Sequence, residues 1–183
     1  MGRMIGSSSI SFDKPPFIIE GASIVGQKEG DGPLGKLFDV VEQDPMLGQE
    51  TWEEAESLLQ KEAIQKLLFK AGMSKEEIRY IFGGDLLGQL IATTFGILEF
   101  EVPFFGLYGA CSTMGEALSL GAVMVEAGNA DNVIAMASSH FASAERQFRF
   151  PLAYGNQRPY AATWTVTGCG AVIISTKKGF AKI

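Results

Sequence analysis

Cysteine and histidine are scarce in this sequence. Its 183 residues include two cysteines, Cys111 and Cys169, and one histidine, His140. Two cysteines do not make the disulfide framework of a small secreted domain, so we expect a reducing compartment. So few thiol and imidazole groups also argue against a structural zinc site. We therefore expect neither a metal nor a cofactor.

Long apolar runs and basic clusters are missing as well. No stretch approaches the ~20 apolar residues of a membrane-spanning helix, and the amino terminus lacks the basic and apolar regions of a signal peptide. The formal net charge is -6. No basic stripe is interleaved with aromatic residues, so nucleic acid is not expected as a partner. The 46% of hydrophobic residues suffices for the core of one domain of ordinary size.

Helix and strand patterns alternate along the chain. Residues 1–16 are predicted to form an amino-terminal arm, and residues 17–183 a single domain. Thr51 and Glu54 form a capping box at the start of a helix that Gly72 ends. Asp85 is predicted to cap a second helix that begins at Leu86, and a third helix covers 112–127. Strands are predicted at 17–26, 78–84, 103–108, 132–139 and 168–176.

This alternation predicts an α/β fold with mostly parallel strands, which right-handed crossovers connect. Ligands of such sheets bind outside the carboxyl ends of the strands. Asp85, Cys111 and His140 each follow the end of a predicted strand. The sequence therefore predicts that these three side chains lie along one edge of the sheet.

Cys111 and Ser112 stand where a strand passes into the nearly uncharged helix 112–127. The unpaired N–H groups and the dipole at a helix amino terminus favour the thiolate form of a cysteine and can hold an oxyanion or a carboxylate. Cys111 is thus a candidate nucleophile or ligand contact. The alternative is that Cys111 is a small residue needed for close packing. Cys169, flanked by glycines in a strand, is predicted to be a core residue.

His140 would have to serve as the base if Cys111 were a nucleophile, because the chain has no other histidine. Its position after Ser138 and Ser139, at the end of a strand, favours a role in the site. A lone histidine is more often structural, and this alternative stays open.

The segment from 139 to 168 combines cations with aromatic rings. It carries Arg146, Arg149 and Arg158 against a single acid, Glu145. Guanidinium groups suit carboxylates, and aromatic faces suit flat rings, so the segment favours an anionic ring ligand. The alternative is a loop held by its aromatic residues, with the arginines in ion pairs.

Several blocks of sequence resemble known families. The run "GACSTMGEALSLGAVMVEAG", the strand end "ASSH" and the strand "GCGAVII" resemble the first half of a thiolase-fold protein. More narrowly, the chain resembles the stage V sporulation protein AD family of endospore formers. That resemblance rests on the blocks "KEGDGPLGKLFD", "GGDLLGQ", "YGACST", "ASSHFASAERQFRFPLAYGNQRP" and "TWTVTGCGAVIIS".

The resemblance implies a fold and a role. The fold is half of a thiolase: a mixed, mostly parallel sheet of about five strands with helices on both faces. The role is binding of dipicolinic acid and participation in its uptake into the developing spore. Membrane-embedded proteins of the same operon would be the partners, at the cytoplasmic side or periphery of the spore or forespore membrane. The resemblance matches Cys111 to the thiolase nucleophile. This match and the residues predicted along the sheet edge together give the candidate ligand contacts, which are Cys111, Ser112, Asp85, Ser139, His140, Arg146 and Arg149.

Thiolases consist of two similar halves with the site between them, and this chain matches one half. The resemblance therefore implies a non-catalytic scaffold, with a Cys111 acyltransferase and a structural subunit with a relic pocket as alternatives. The helix 112–127 would be bare where the second half covers it in a thiolase. We therefore expect a homo-oligomer.

Overall fold

A mixed sheet of seven strands forms the centre of the chain. The structure is a computed structural model, and it describes residues 2–86, 89–148, 163 and 165–183. A separate antiparallel hairpin of β1 (Arg3–Ile5) and β2 (Ser9–Ser11) precedes the sheet. The sheet contains β3 (Phe17–Gly26), β4 (Val40–Glu42), β5 (Tyr80–Asp85), β6 (Phe104–Gly106), β7 (Asn132–Ser139), β8 (Gly168–Ser175) and β9 (Ala181–Lys182).

The strands lie in the order β4-β3-β8-β7-β5-β6, with β9 also paired to β3. Strands β3 to β7 all run in one direction, whereas β8 is antiparallel to both of its neighbours and β9 is antiparallel to β3. The prediction of a mixed, mostly parallel sheet is confirmed, with seven strands where about five were expected. The carboxyl ends of β3 to β7 meet at one edge, which we call the carboxyl rim.

Helix α2 (Trp52–Ala71) covers one face of the sheet. Its predicted capping box is present: Thr51 Oγ1 accepts from the Glu54 N–H at 3.2 Å, and the Glu54 carboxylate accepts from the Thr51 N–H at 3.0 Å. Gly72 ends the helix in the left-handed region, at φ 61°. Leu59, Ile64 and Leu67 are fully buried in the core on this face. Helix α3 (Ile91–Ile97) packs beside α2.

Helix α4 (Thr113–Glu126) covers the opposite face, so helices lie on both faces as predicted. A Cβ at Gly121 would come within 2.8 Å of Ile174 Cδ1, so this position needs glycine for close approach of the helix to the sheet. The outer side of α4 exposes apolar residues, with Leu120 at 44% and Val123 at 39% of their surface.

Short elements of the described structure that were not predicted include β4, β9, helix α1 (Gln27–Gly30) and helix α5 (Phe141–Phe148). Strand β4 has three residues and β9 has two, too few to show a period; β4 is held by parallel pairing with Ile24 and its neighbours. Helix α5 lies in the segment from 139 to 168, for which no helix was predicted. Within the described residues, no helix is both long and apolar enough to cross a membrane.

Candidate functional site

A pocket of about 900 Å³ opens at the carboxyl rim. It lies between the ends of β7 and β8 and the turn that precedes α4. Hydroxyl, thiol, apolar and aromatic groups dominate the described lining, and the one charged residue there is Glu145. The lining residues are Ser23, Val25, Phe38, Leu86, Ala110, Cys111, Ala137, Ser138, Ser139, Glu145, Phe148, Thr163, Thr165, Val166, Gly168, Cys169 and Gly170. We call this cavity the rim pocket.

Cys111 is exposed and contributes to the rim pocket from a tight turn. After β6 the chain forms a 3₁₀ turn, Ala110–Ser112, and then enters α4. Ala110 has φ 49°, a left-handed conformation that costs a non-glycine residue free energy and is often found at functional sites. The fold thus holds Cys111 at the mouth of the pocket, beside the amino end of α4.

Ser112 lies next to Cys111, but its hydroxyl is engaged within the turn. The single hydroxyl hydrogen of Ser112 is shared between the Gly109 carbonyl oxygen, 2.8 Å from Oγ, and the Glu116 carboxylate. A Cβ at Gly109 would lie 2.2 Å from Glu116 Oε1, so this arrangement requires glycine at 109. Ser112 therefore stabilises the turn, and it does not line the rim pocket.

Adjacent strands form the floor of the rim pocket. Ser138 of β7 pairs in register with Cys169 of β8, and both line the pocket. Cys169 is 3% exposed, and burial raises the pKa of its thiol, so the thiol stays protonated. Ser139 lines the pocket too, and its hydroxyl donates to the Val166 carbonyl oxygen.

A buried chain of hydrogen bonds runs behind this floor. Gln60 Nε2 donates to Ser138 Oγ at 2.6 Å and to Thr93 Oγ1 at 3.1 Å. Each hydroxyl in turn donates to a carboxylate: Ser138 to Glu56 Oε1 at 2.6 Å and Thr93 to Asp85 Oδ2 at 2.7 Å. A single amide therefore links two buried acids through two hydroxyl groups.

Asp85 forms one end of this chain and has no exposed surface. Its carboxylate also accepts from the backbone N–H groups of Thr93 at 3.0 Å and Leu90 at 3.3 Å, at the amino end of α3. The predicted contact between Asp85 and the second helix is present, although the helix begins at Ile91 rather than Leu86. Asp85 lies behind the rim pocket and does not line it.

Glu56 forms the other end of the chain and was not among the predicted site residues. It is 3% exposed, and burial, opposed in part by the Ser138 hydrogen bond, raises its pKa to about 7. The sequence did offer one indication that Glu56 is buried: it lies next to the buried stripe of Ala55, Leu59 and Ala63 on α2. A charged residue beside an apolar stripe, followed four residues later by Gln60, marks a polar group that faces inwards.

His140 is buried, and both of its ring nitrogens are engaged by the backbone. The Pro45 carbonyl oxygen lies 2.7 Å from Nε2, and Nδ1 accepts from the Ala142 N–H at 3.2 Å. Burial lowers the pKa of the imidazole. The side chain thus caps the amino end of α5, and it does not line the rim pocket.

Arg146 does not line the rim pocket in the described structure. Arg146 of α5 pairs with the Glu53 carboxylate and lies over the Trp52 ring, with its guanidinium carbon 5.2 Å from the ring centroid. This arrangement corresponds to the ion-pair alternative. Arg149 and Arg158 lie outside the described residues.

The rim pocket therefore brings Cys111 and Ser139 together, with Asp85 behind its floor. Among the described residues, neither arginine nor histidine lines it. The arrangement offers hydroxyl donors, the amino end of a helix, apolar walls and the carboxylate of Glu145.

Solved structures with the same architecture define the class of fold. The 3-oxoacyl-[acyl-carrier-protein] synthase III of Aquifex aeolicus superposes with a TM-score of 0.57 at 17% identity, covering 87% of this chain and 53% of that chain. The corresponding synthase III of Xanthomonas oryzae pv. oryzae gives 0.58 at 16% identity, covering 90% and 56%. The chain thus has the fold of one half of a thiolase-like synthase.

Sequence comparison then gives the family. The family described as stage V sporulation protein AD matches residues 6–183. Stage V sporulation protein AD of Bacillus subtilis is 40% identical over 177 residues, which cover 97% of this chain and 52% of the relative. The chain belongs to the stage V sporulation protein AD family, and it spans about half the length of this curated relative.

Proposed function

We propose that this protein binds dipicolinic acid in the rim pocket and takes part in its uptake into the developing spore, together with membrane-embedded partners. It acts as a scaffold and not as a catalyst. Family membership supports a role in sporulation. The observation that carries the proposal is the rim pocket itself, whose volume of about 900 Å³ lies within the range of small-molecule sites.

Apart from the carboxylate of Glu145, the lining suits a flat ring with two carboxylates. Phe38 and Phe148 supply aromatic surface for the ring. The amino end of α4 beside Cys111 and the hydroxyl groups of Thr163 and Thr165 supply donors for the carboxylates. In this proposal, the helix dipole and the hydroxyl groups bind the ligand carboxylates, a role that the sequence alone assigned to Arg146 and Arg149.

The surroundings of His140 support the proposal of a scaffold without catalysis. A thiol nucleophile in acyl transfer needs a base within hydrogen-bond reach. Both nitrogens of His140 are engaged by backbone groups. In this proposal, Cys111 contacts the ligand and does not attack it.

Titration calorimetry with dipicolinate tests this proposal. A bulky side chain at the exposed Cys111 should fill the pocket mouth, so we expect Cys111→Phe to weaken binding at least tenfold. The matched control is Ser119→Phe, an exposed position on α4 outside the pocket lining, which should bind like the parent. Absence of binding heat, both from this chain and from its longer Bacillus subtilis relative, would refute the proposal.

A second candidate function is acyl transfer by Cys111. The exposed position of this thiol and the left-handed Ala110 before it favour this candidate. We expect no acyl-group mass increase on Cys111 after incubation with an acyl-coenzyme A, as measured by intact-protein and peptide mass spectrometry. An adduct that is lost in Cys111→Ala would support the enzyme. A protein that neither binds dipicolinate nor becomes acylated would be a structural subunit with a relic pocket.

A further inference from the structure

The buried chain behind the rim pocket contains a carboxyl group that the proposed function does not use. Glu56 contacts the pocket through Ser138, which lines the floor and donates its hydroxyl hydrogen to Glu56 Oε1 at 2.6 Å. Ser138 Oγ also accepts from Gln60 Nε2 at 2.6 Å. As long as Glu56 is ionised, the hydroxyl hydrogen of Ser138 points away from any ligand.

We propose that Glu56 is a positioning residue of the rim pocket, which takes up one proton when a carboxylate ligand occupies the pocket and thereby turns the Ser138 hydroxyl towards the ligand. This inference rests on the proposed function, because it requires an anionic ligand in that pocket.

The hydrogen bonds remain balanced in both states. In the ionised state, Ser138 donates to Glu56 and accepts from Gln60. When a proton from solvent binds Glu56, its carboxylic O–H donates to Ser138 Oγ across the same short separation. Ser138 then accepts two hydrogen bonds, one from Glu56 and one from Gln60, and its own hydrogen becomes available to a ligand carboxylate.

Electrostatics favours the same exchange. The groups around Glu56 include Glu53 and Gln60 of α2, Asp85 of β5, Ser138 of β7 and Cys169 of β8. None of these groups is a cation. Asp85 and Glu53 both raise the pKa of Glu56, and burial raises it more. A ligand carboxylate adds another negative charge in front of the floor, so proton uptake by Glu56 lowers the repulsion.

The experiment is calorimetric titration of dipicolinate in buffers with different enthalpies of ionisation. The dependence of the observed heat on the buffer gives the number of protons taken up per ligand. With a Glu56 pKa of about 7, we expect uptake close to one proton at about pH 8 and much less at about pH 6, where Glu56 is already mostly protonated. Affinity should rise up to about tenfold per pH unit as the pH falls from 9 to 7.

Variants distinguish the proposed proton uptake by Glu56 from a purely structural role of this residue. Glu56→Gln carries a neutral donor and resembles the protonated state, so it should bind dipicolinate with no proton uptake and with little pH dependence. The matched control is Glu50→Gln, which removes the same charge from an exposed position and should behave like the parent. Ser138→Ala removes the contact between Glu56 and the pocket and should reduce the uptake as well, so the test does not depend on Glu56→Gln folding.

The possible outcomes are distinct. Binding by the parent without proton uptake at pH 8 would overturn the role of Glu56 and leave the proposed function intact. Uptake that is unchanged in Glu56→Gln, or in Ser138→Ala, would also overturn it. Absence of binding at both pH values would remove the proposed function and this inference together.

Discussion

At the scale of one residue, His140 is a candidate base in the sequence but has a structural role in the fold. Its Nδ1 occupies the place of an N-cap acceptor for α5, and its Nε2 is satisfied by the Pro45 carbonyl. Burial lowers the pKa of the imidazole below its ordinary value. Protonation would remove the Nδ1 acceptor and place a charge inside the protein.

We therefore expect His140 to make the folded state sensitive to acid. Because the folded pKa lies below the unfolded value of 6.5, the unfolded state binds more protons, and stability is lost as the pH falls below that value. His140→Asn keeps a capping oxygen without titrating. Its free energy of unfolding should therefore fall less than that of the parent between about pH 7 and pH 5.

Chemical denaturation at both pH values measures this difference. His140→Ala, which lacks the cap, should lose at least about 1 kcal/mol at neutral pH. An identical acid sensitivity of parent and His140→Asn would contradict the assignment of this effect to His140. Glu56 does not confound the comparison, because it is present in both proteins.

At the scale of helices and strands, the sequence was informative wherever an element carries its own pattern. The capping box at Thr51 and Glu54, the apolar stripe of α2 and the glycine at 72 are local features, and α2 lies where they predict it. Helix α5 lacks a serine, threonine, aspartate or asparagine N-cap. Its start depends on the His140 ring and on Thr167 Oγ1, which accepts from the Phe141 N–H at 3.0 Å.

The same distinction applies to the site. The carboxyl-rim rule needs only strand order and direction, and it predicted that Asp85, Cys111 and His140 lie along one edge. Cys111 lines the rim pocket there, whereas Asp85 and His140 do not. Glu56 and Gln60 were missed because they reach the floor from α2, far away in sequence, through a contact with Ser138 that only tertiary packing creates. The contacts of Arg146 likewise depend on tertiary packing, since Trp52 and Glu53 of α2 engage its guanidinium group.

At the scale of the whole molecule, the face of the sheet that carries α4 is less completely covered by helices than the opposite face. The opposite face is covered by both α2 and α3. On the α4 face, Leu120 of the helix and Phe105 of the edge strand β6 are 44% and 45% exposed. Exposed apolar surface of this kind favours association.

We expect this chain to self-associate through the α4 face, with a sedimentation coefficient that increases with protein concentration. Leu120→Glu places a charge in the middle of that surface, so it should shift the distribution to monomer, because burial of an unpaired carboxylate opposes association. The matched control is Leu37→Glu, which puts the same charge on another exposed leucine, 77% exposed, outside α4. Sedimentation velocity separates three outcomes: a parent that is monomeric at all concentrations refutes self-association, equal dissociation by both variants refutes the α4 face, and dissociation by Leu120→Glu alone supports it.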